Sequence, residues 1–349
     1  MNPKTSKLFA AMLTAMAATY GVASVSNEFS VQPTVAQELS DAIVESHEFL
    51  QKINVLPVEQ IKGEKILGSV TGLVGKRTDT ENEDRQTSEV LSLGSKKYEL
   101  FSTEFDTHIR WVTIDSWAKF PDLSKRYGEW VRKAIALARI RTGWLGTHAA
   151  ELKTDKASYP NGEDVNKGWL QLCREYDGGS HWFDGSEGTQ AANKIRIGAG
   201  GDFENLDSAI HALKQMINPL HRGAKDLVAI VGEDLIAEEK AALYKALGQK
   251  PSEKERIEKE VVTKVYAGLP IVTDVAFFPS RGIFITSLDN LSIYFQSDSW
   301  RREVANATKR KRVEDYNSVN EGYVLEDEEK TAGLEFANVQ LPDGNGGWA

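Results

Sequence analysis

The run between Arg77 and Glu89 constrains the fold more than any other part of the chain. It carries Asp79, Glu81, Glu83, Asp84 and Glu89 and offers no apolar anchor before Val90. On either side, Ile66-Leu67-Gly68-Ser69-Val70 and Glu99-Leu100-Phe101 read as strand flanks. Residues 61–112 are therefore expected to form a long antiparallel ribbon with a polar tip. A polar excursion of this length is uncommon in a compact domain and points to a functional arm or lid; a solvated, disordered loop is the alternative. In either case the core has to be built elsewhere.

The remaining sequence has the means to build it. Of 349 residues, 41% are apolar and 27% charged, which excludes wholesale disorder, and the length suits two to three domain-sized units. Lys and Arg number 42 against 51 Asp and Glu, a net charge of −9. That balance argues against a dedicated DNA-coating protein, because phosphate binding is driven by positive charge. The single cysteine, Cys173, excludes an internal disulfide framework and any cysteine-based zinc site. Outside the N-terminus no run of 18 or more apolar residues occurs, so no membrane partner is expected.

The first residues support two readings. Lys4 and Lys7 precede Leu8-Phe9-Ala10-Ala11-Met12-Leu13, and small residues Ala23, Ser24 and Ser26 follow, the grammar of a secretory signal peptide. Leu8, Met12, Ala15, Met16 and Thr19 also recur at three- and four-residue spacing, which suits an Ala-rich helix.

Further along, Leu39, Ile43, Val44, His47 and Leu50 share one helical face, and Pro57 is expected to close that helix. The strongest helical pattern runs from Ser116 to about His148 through Trp117, Phe120, Leu123, Tyr127, Val131, Ala134, Ala138 and Leu145. Pro121 is tolerable there only in a first turn or as a kink. A short helix is expected around Gly168–Leu172, and an amphipathic one from Asn205 through Leu206, Ile210, Leu213, Ile217 and Leu220. The buried-strand run Leu227–Val231, a helix through Leu243 and Leu247, and strand signals at Ile271-Val272, Ile283–Ile285 and Leu291–Phe295 indicate an α/β or α+β unit. The charged stretch Glu253–Glu260 reads as a solvated face or loop, and the Gly-rich end as a frayed tail.

The search for chemistry meets decoys. Gly75-Lys76-Arg77 lacks the first glycine and the magnesium-binding hydroxyl of a phosphate loop, and Gly198-Ala199-Gly200-Gly201 lacks the third glycine of a dinucleotide site. His47, His108, His148, His181, His211 and His221 include no i,i+4 pair suited to a metal. No G-x-S-x-G elbow occurs, Cys173 reads as a buried thiol, and pairs such as Asp106 with Asp115 are unavoidable among so many acids. No catalytic, cofactor-binding or metal-binding residue is expected. One cluster stands apart: Arg301, Arg302, Lys309, Arg310, Lys311 and Arg312, beside Glu303, Glu314 and Asp315. Six positive and three negative charges leave +3 over residues 301–316. Without interleaved aromatics it reads as a subunit–subunit ion-pair surface, matched to the acidic ribbon tip, rather than as a nucleic-acid site.

Taken in order, these residues carry a family signature. It begins near Val25-Ser26 and runs through Lys62-Gly63-Glu64-Lys65-Ile66, Val70-Thr71-Gly72, Thr78-Asp79-Thr80, Lys97-Tyr98-Glu99, His108-Ile109-Arg110 and Asp115-Ser116-Trp117-Ala118. It continues with Gly168-Trp169-Leu170-Gln171, Gly200-Gly201-Asp202, Asp226–Gly232, Gly268-Leu269-Pro270, Leu291-Ser292-Ile293-Tyr294, Arg301-Arg302, Arg312–Tyr316 and Val324–Asp327. Each piece is short; the ordered series is specific. The chain resembles the major capsid proteins of the P2-like (peduovirus) group, temperate tailed bacteriophages with contractile tails.

The resemblance implies an α+β chain with the Hong Kong 97 (HK97-type) capsid fold. Residues 1–29 would be a scaffold-linked segment, removed by a maturation protease near Phe29 and Ser30. Residues 30–60 would be an N-terminal arm, 61–112 the extended loop, and 113–204 a peripheral domain with the long spine helix. Residues 205–300 would be the axial domain, 301–338 the return to the peripheral domain, and 339–349 a flexible tail. The implied function is a head protein, not an enzyme, that assembles in the host cytoplasm and resides in the virion. The implied partners are copies of itself in hexamers and pentamers, a scaffold and protease, the portal, and packaged double-stranded DNA held without sequence preference; no cofactor is implied. Candidate inter-subunit residues are Lys76, Arg77, Asp79, Glu81, Glu83 and Asp84 on the ribbon, with the six cations between Arg301 and Arg312. An exported binding protein or hydrolase, and an encapsulin-like compartment, are the competing readings.

Overall fold

Strand Arg312–Leu325 sets the frame of the molecule. Its residues Val313, Asp315, Asn317, Val319, Glu321, Tyr323 and Leu325 are all buried, the period-two pattern of a strand with one face in a core. One side of it pairs end to end with Leu291–Gln296 and Arg301–Ala307, the other with Phe101–Glu104 and Thr107–Arg110, all antiparallel. Asn54–Val58 adds parallel to Leu291–Gln296, and Phe29–Ser30 antiparallel to Arg301–Ala307, completing a seven-stranded sheet. This computed structural model describes residues 3–70, 81–82, 91–117, 123–186, 193–247, 265–343 and 346–349.

The helices are α1 (Pro3–Tyr20), α2 (Pro33–Glu45), α3 (Trp111–Trp117), α4 (Leu123–Leu145), α5 (Trp169–Glu175), α6 (Leu206–Met216) and α7 (Glu233–Leu247). Helices α2, α4 and α5 cover one face of the large sheet. Ile43, Leu50, Ile140, Trp144 and Trp169 meet Ile293, Phe295, Trp300, Val319 and Tyr323 in one apolar cluster. Trp169 lies edge-on to Trp144 and Tyr323, at 5.0 and 5.4 Å between ring centroids, and its indole N–H donates to the carbonyl of Ser292 at 3.1 Å. In this core sits an ion pair: Arg139 Nε donates to Glu321 Oε2 at 2.9 Å, with side chains 0% and 1% exposed. Burial raises the pKa of Glu321, and Arg139 opposes that shift.

A second, six-stranded sheet runs Val265–Tyr266, Leu269–Val272, Val228–Val231, Ile283–Thr286, Ala332–Leu334, Trp182–Phe183. It packs against α6 and α7 through a separate cluster that includes Leu206, Ile210, Leu213, Ile230's neighbours Ala229 and Val231, and Leu235. Asn205 caps α6: its side chain accepts from the backbone N–H of Ser208 at 2.8 Å, and the Ser208 hydroxyl faces the Asn205 N–H.

Several expected boundaries move. Helix α2 stops at Glu45, not near Pro57; Leu50 reaches the core through a single 3-10 turn, and Pro57 lies in an edge strand that tolerates a missing N–H. Helix α4 (Leu123–Leu145) ends before the expected His148, and the expected continuity from Ser116 falls on residues 118–122, outside the described residues. At its end a Cβ on Gly146 or Gly168 would collide with backbone oxygens of the facing segment, so the chain can turn there only with glycine. The ribbon spans Lys62–Val70 and Leu91–Glu99; Phe101–Arg110 already belongs to the large sheet. A unit boundary at residue 300 does not match the pairing, because Leu291–Gln296 joins the large sheet while Ala332–Leu334 joins the second. In place of a frayed tail, Val339–Gln340 pairs with Ile195–Arg196, Leu341 and Ala349 exchange backbone hydrogen bonds, and Trp348 stacks on Arg196. The stretch Glu253–Glu260 lies outside the described residues.

The outer edge of Phe101–Arg110 is left without a strand partner among the described residues, and its exposed positions alternate: Ser102, Glu104, Asp106, His108, Arg110. The ribbon is fastened at its root. Lys65 Nζ donates to the Glu326 carbonyl at 3.0 Å and to Glu328 Oε1 at 3.2 Å, while Lys96 pairs with the other oxygen of Glu328 and lies 4.8 Å above the Tyr176 ring. Tyr98 meets Tyr294 edge-on at 5.2 Å, and the Tyr294 hydroxyl donates to Glu326 at 2.8 Å.

Two outcomes follow. Arg139→Met leaves Glu321 buried without a counter-charge and is expected to destabilise the subunit by about 3–5 kcal/mol, whereas Arg139→Met with Glu321→Gln recovers most of the loss in urea denaturation. Glu328→Gln is expected to weaken the ribbon root by about 1.5–3 kcal/mol, read as faster hydrogen exchange confined to residues 62–70 and 91–99. Unchanged exchange there would remove Glu328 from the root.

Candidate assembly surfaces

The cations clustered in sequence between Arg301 and Arg312 do not form one patch. They lie on a hairpin whose strands pair from Arg301↔Ser318 to Ala307↔Arg312, closed by a turn in which Lys311 takes a left-handed backbone, φ 50°. At about 3.4 Å per residue the hairpin sets Arg301 and Arg302 roughly 17 Å or more from the turn. Lys309, Arg310 and Lys311 are exposed at the tip, and Arg310 stands 3.9 Å from Glu314. Arg312 turns back along the strand, donating from Nε to Glu314 at 2.6 Å, and the Tyr316 hydroxyl donates to the same carboxylate at 2.7 Å. Together they hold Glu314 below its ordinary pKa.

Arg302, expected at a subunit contact, is used within the chain. Its guanidinium donates from Nε and Nη2 to the two oxygens of Asp315, at 3.0 and 2.7 Å, and binds the Tyr20 hydroxyl at the end of α1. Asp315 is fully buried. Burial opposes the charge on Arg302, but the carboxylate of Asp315 prevails and holds the pKa above its ordinary value. Asp315 and Tyr20 were invisible to sequence reasoning as partners: the first is named only by the hairpin register, and the second is more than 280 residues away. Arg301 remains largely exposed, 3.6 Å from Glu28.

Phe29 and Ser30 form a short edge strand opposite Arg302 and Arg301, and the next residue, Val31, donates from its N–H to the Trp300 carbonyl at 2.8 Å. Phe29 packs on Tyr20 at 5.3 Å. Helix α1 itself lies over a small cluster of Val25, Ile114, Val304 and Val313, to which Phe9, Leu13 and Met16 add. On the ribbon tip, Glu81 is exposed in a turn; Lys76, Arg77, Asp79, Glu83 and Asp84 lie outside the described residues.

Two grooves run between strand Phe101–Arg110 and α4. One, of about 750 Å³, lies along Phe101–Thr107 against Ala134, Ile135 and Ala138; the other, of about 560 Å³, lies along Thr107–Arg110 against Tyr127, Trp130 and Val131. Both are open troughs rather than enclosed pockets, and neither gathers an acid, a base and a nucleophile. The one thiol is buried: Cys173 lies 3.6 Å from the His181 carbonyl, and burial pushes its pKa up to about 12. Among the described residues no three His, Cys, Asp or Glu side chains are placed to hold a metal ion, and no helix is long and apolar enough to cross a membrane.

Comparison with known proteins accounts for a molecule whose features are an arm, an open sheet edge and open troughs. Residues 8–336 match the model of the family described as phage major capsid protein, P2 family. The chain is 37% identical over 336 residues to the capsid proteins of Escherichia phage P2, covering 94% of this chain and 92% of that one. It is 29% identical over 328 residues to the major capsid protein of Serratia phage KSP20, covering 93% of each. Among solved structures, a chain of the satellite phage P4 procapsid including size determination (Sid) protein superposes with a TM-score of 0.75 at 34% identity, over 98% of this chain and 99% of that one. The fold is the α+β, HK97-type capsid fold, and the role is structural rather than enzymatic. The chain belongs to the P2 family of phage major capsid proteins, the proteins that form the capsid shell of the virion.

Proposed function

We propose that copies of this chain assemble as hexamers and pentamers of an icosahedral shell around double-stranded DNA, with the ribbon of one copy lying on its neighbour. The observation that carries this reading is the ribbon itself. Among the described residues Lys62–Val70 and Leu91–Glu99 pair only with each other, in a two-stranded sheet fastened at the root by Glu328 and Tyr294. An isolated hairpin is marginal in water, so an arm of this length gains its order by packing on another surface. The large-sheet unit corresponds in this reading to the peripheral domain and the second-sheet unit to the axial domain. The ribbon tip and the exposed hairpin tip at Lys309–Lys311 are the complementary charges between copies.

The N-terminal segment fits assembly with a scaffold and removal by a maturation protease near Phe29-Ser30, in the host cytoplasm before packaging through the portal. It covers a small cluster under α1 with Val304 and Val313 of the large sheet, and Tyr20, Met12, Met16 and Val22 also pack on the main apolar cluster, so its loss would uncover one border of that sheet while Trp144, Trp169 and Tyr323 keep one another as partners.

Deletion of Arg77–Glu89 is expected to leave a folded subunit that forms no closed shells by electron microscopy; normal particles would refute the role of the ribbon. Intact mass of the shell protein from assembled particles is expected to correspond to a chain starting near Ser30, and a Met1 start would refute processing.

A further inference from the structure

Positive charge gathers most densely on one helix face. Several cations elsewhere lie against carboxylates: Arg302 with Asp315, Arg312 with Glu314, Arg174 with Glu335, Lys330 with Asp226. The N-terminal half of α4 carries a larger group. Lys125, Arg126 and Lys133 are exposed and Arg132 half-buried, on the side opposite the buried Tyr127, Val131 and Ile135. At 100° per residue the four cations share one helix face about 12 Å long with a single acid, Glu129, a local +3 on a chain of net −9. No described carboxylate forms an ion pair with Lys125, Arg132 or Lys133.

The arrangement also runs against local stability. Helix α4 carries no acid in its first turn and no base in its last. Lys125 and Arg126 instead sit in the first turn, where the positive end of the helix dipole repels them. Glu129 is the one acid on this face, and a positive excess placed against the helix dipole fits a surface shaped by a ligand rather than by folding. Across the trough of about 560 Å³, the exposed His108 and Arg110 form the facing rim, with Trp130 on the helix side.

We propose that this face of α4 is a polyanion contact that takes the phosphate backbone of double-stranded DNA, resting on the reading that the shell encloses such DNA. Four cations with no base-reading groups suit phosphates without sequence preference. A few contacts per copy, repeated over a shell, hold the DNA while each remains weak enough to exchange. The net acidity of the chain and this strip are then compatible: the molecule as a whole repels nucleic acid and one helix face admits it.

The test is fluorescence anisotropy of the full-length, unassembled subunit with a random-sequence duplex of 30 base pairs, from 50 to 200 mM salt. Lys125→Gln/Arg132→Gln/Lys133→Gln is expected to lower affinity by about tenfold or more at 50 mM salt and to reduce the slope of log K against log salt by roughly 2.7, about 0.9 for each contact removed. Lys133→Gln alone is expected to reduce that slope by about 0.9. Lys309→Gln/Arg310→Gln/Lys311→Gln, at the hairpin tip, is expected to leave both unchanged. Wild-type binding that survives the triple substitution, or that is lost only with the tip, would overturn the proposal, as would a wild-type subunit that binds no duplex at 50 mM salt. Loss of shell formation in the α4 variant with DNA binding intact would assign the face to a protein neighbour instead. Shells seen by electron microscopy for the wild-type protein report separately on the capsid reading, whatever the duplex does.

Discussion

The carboxylate of Glu321 is the constraint on which the arrangement of the large sheet turns. A charge removed from water is tolerated only beside a counter-charge, and Arg139 on α4 supplies it with a hydrogen bond from Nε. Glu321 occupies the position on the central strand flanked by Phe101 on one side and Phe295 on the other, and its carbonyl accepts from Asn166. Tyr323, two residues on, donates from its hydroxyl to the Arg139 carbonyl at 3.0 Å. A slip of one residue would turn Glu321 outward and place Asn320 or Gly322 beneath Arg139, so the pair fixes the register of the strand. Everything downstream inherits that register: the hairpin tip at one end, and Glu326 and Glu328 under the ribbon at the other.

Local structure was legible where a pattern is self-contained. The α6 segment announces itself by Asn205 and the spacing of Leu206, Ile210 and Leu213, and all three side chains are buried. The strands at Val228–Val231, Ile283–Thr286 and Leu291–Gln296 were equally plain. Spacing misled at Leu50, because a buried leucine one turn beyond a helix looks the same in sequence whether the helix continues or a 3-10 turn intervenes. Sheet membership was not legible, since pairing is decided by partners hundreds of residues away. Leu291–Gln296 and Ala332–Leu334 each sit in the sheet that neighbouring sequence would not have chosen.

Charge was read well in sum and poorly in place. Six cations within twelve residues suggested a single surface, but a hairpin sends its two ends apart and buries Arg302 on Asp315. The fastening of the ribbon joins Lys65 and Lys96 to Glu328, more than 230 residues on. No spacing rule links those residues. The ordered series of short motifs succeeded where single sites could not, because a shell protein has no reacting atom to betray it and distributes its function over the whole surface.

The edge at Phe101–Arg110, unpaired among the described residues, bears on the crowded conditions in which such a subunit is made. A bare strand edge is a template for indefinite sheet extension, the route to fibres rather than closed bodies. Here alternate outward positions hold Glu104, Asp106, His108 and Arg110, so a second copy laid against the edge would meet mixed charge that it would have to strip of water. Concentrated copies are thereby denied the cheapest way to stick together, which leaves curvature-setting contacts to decide how they join.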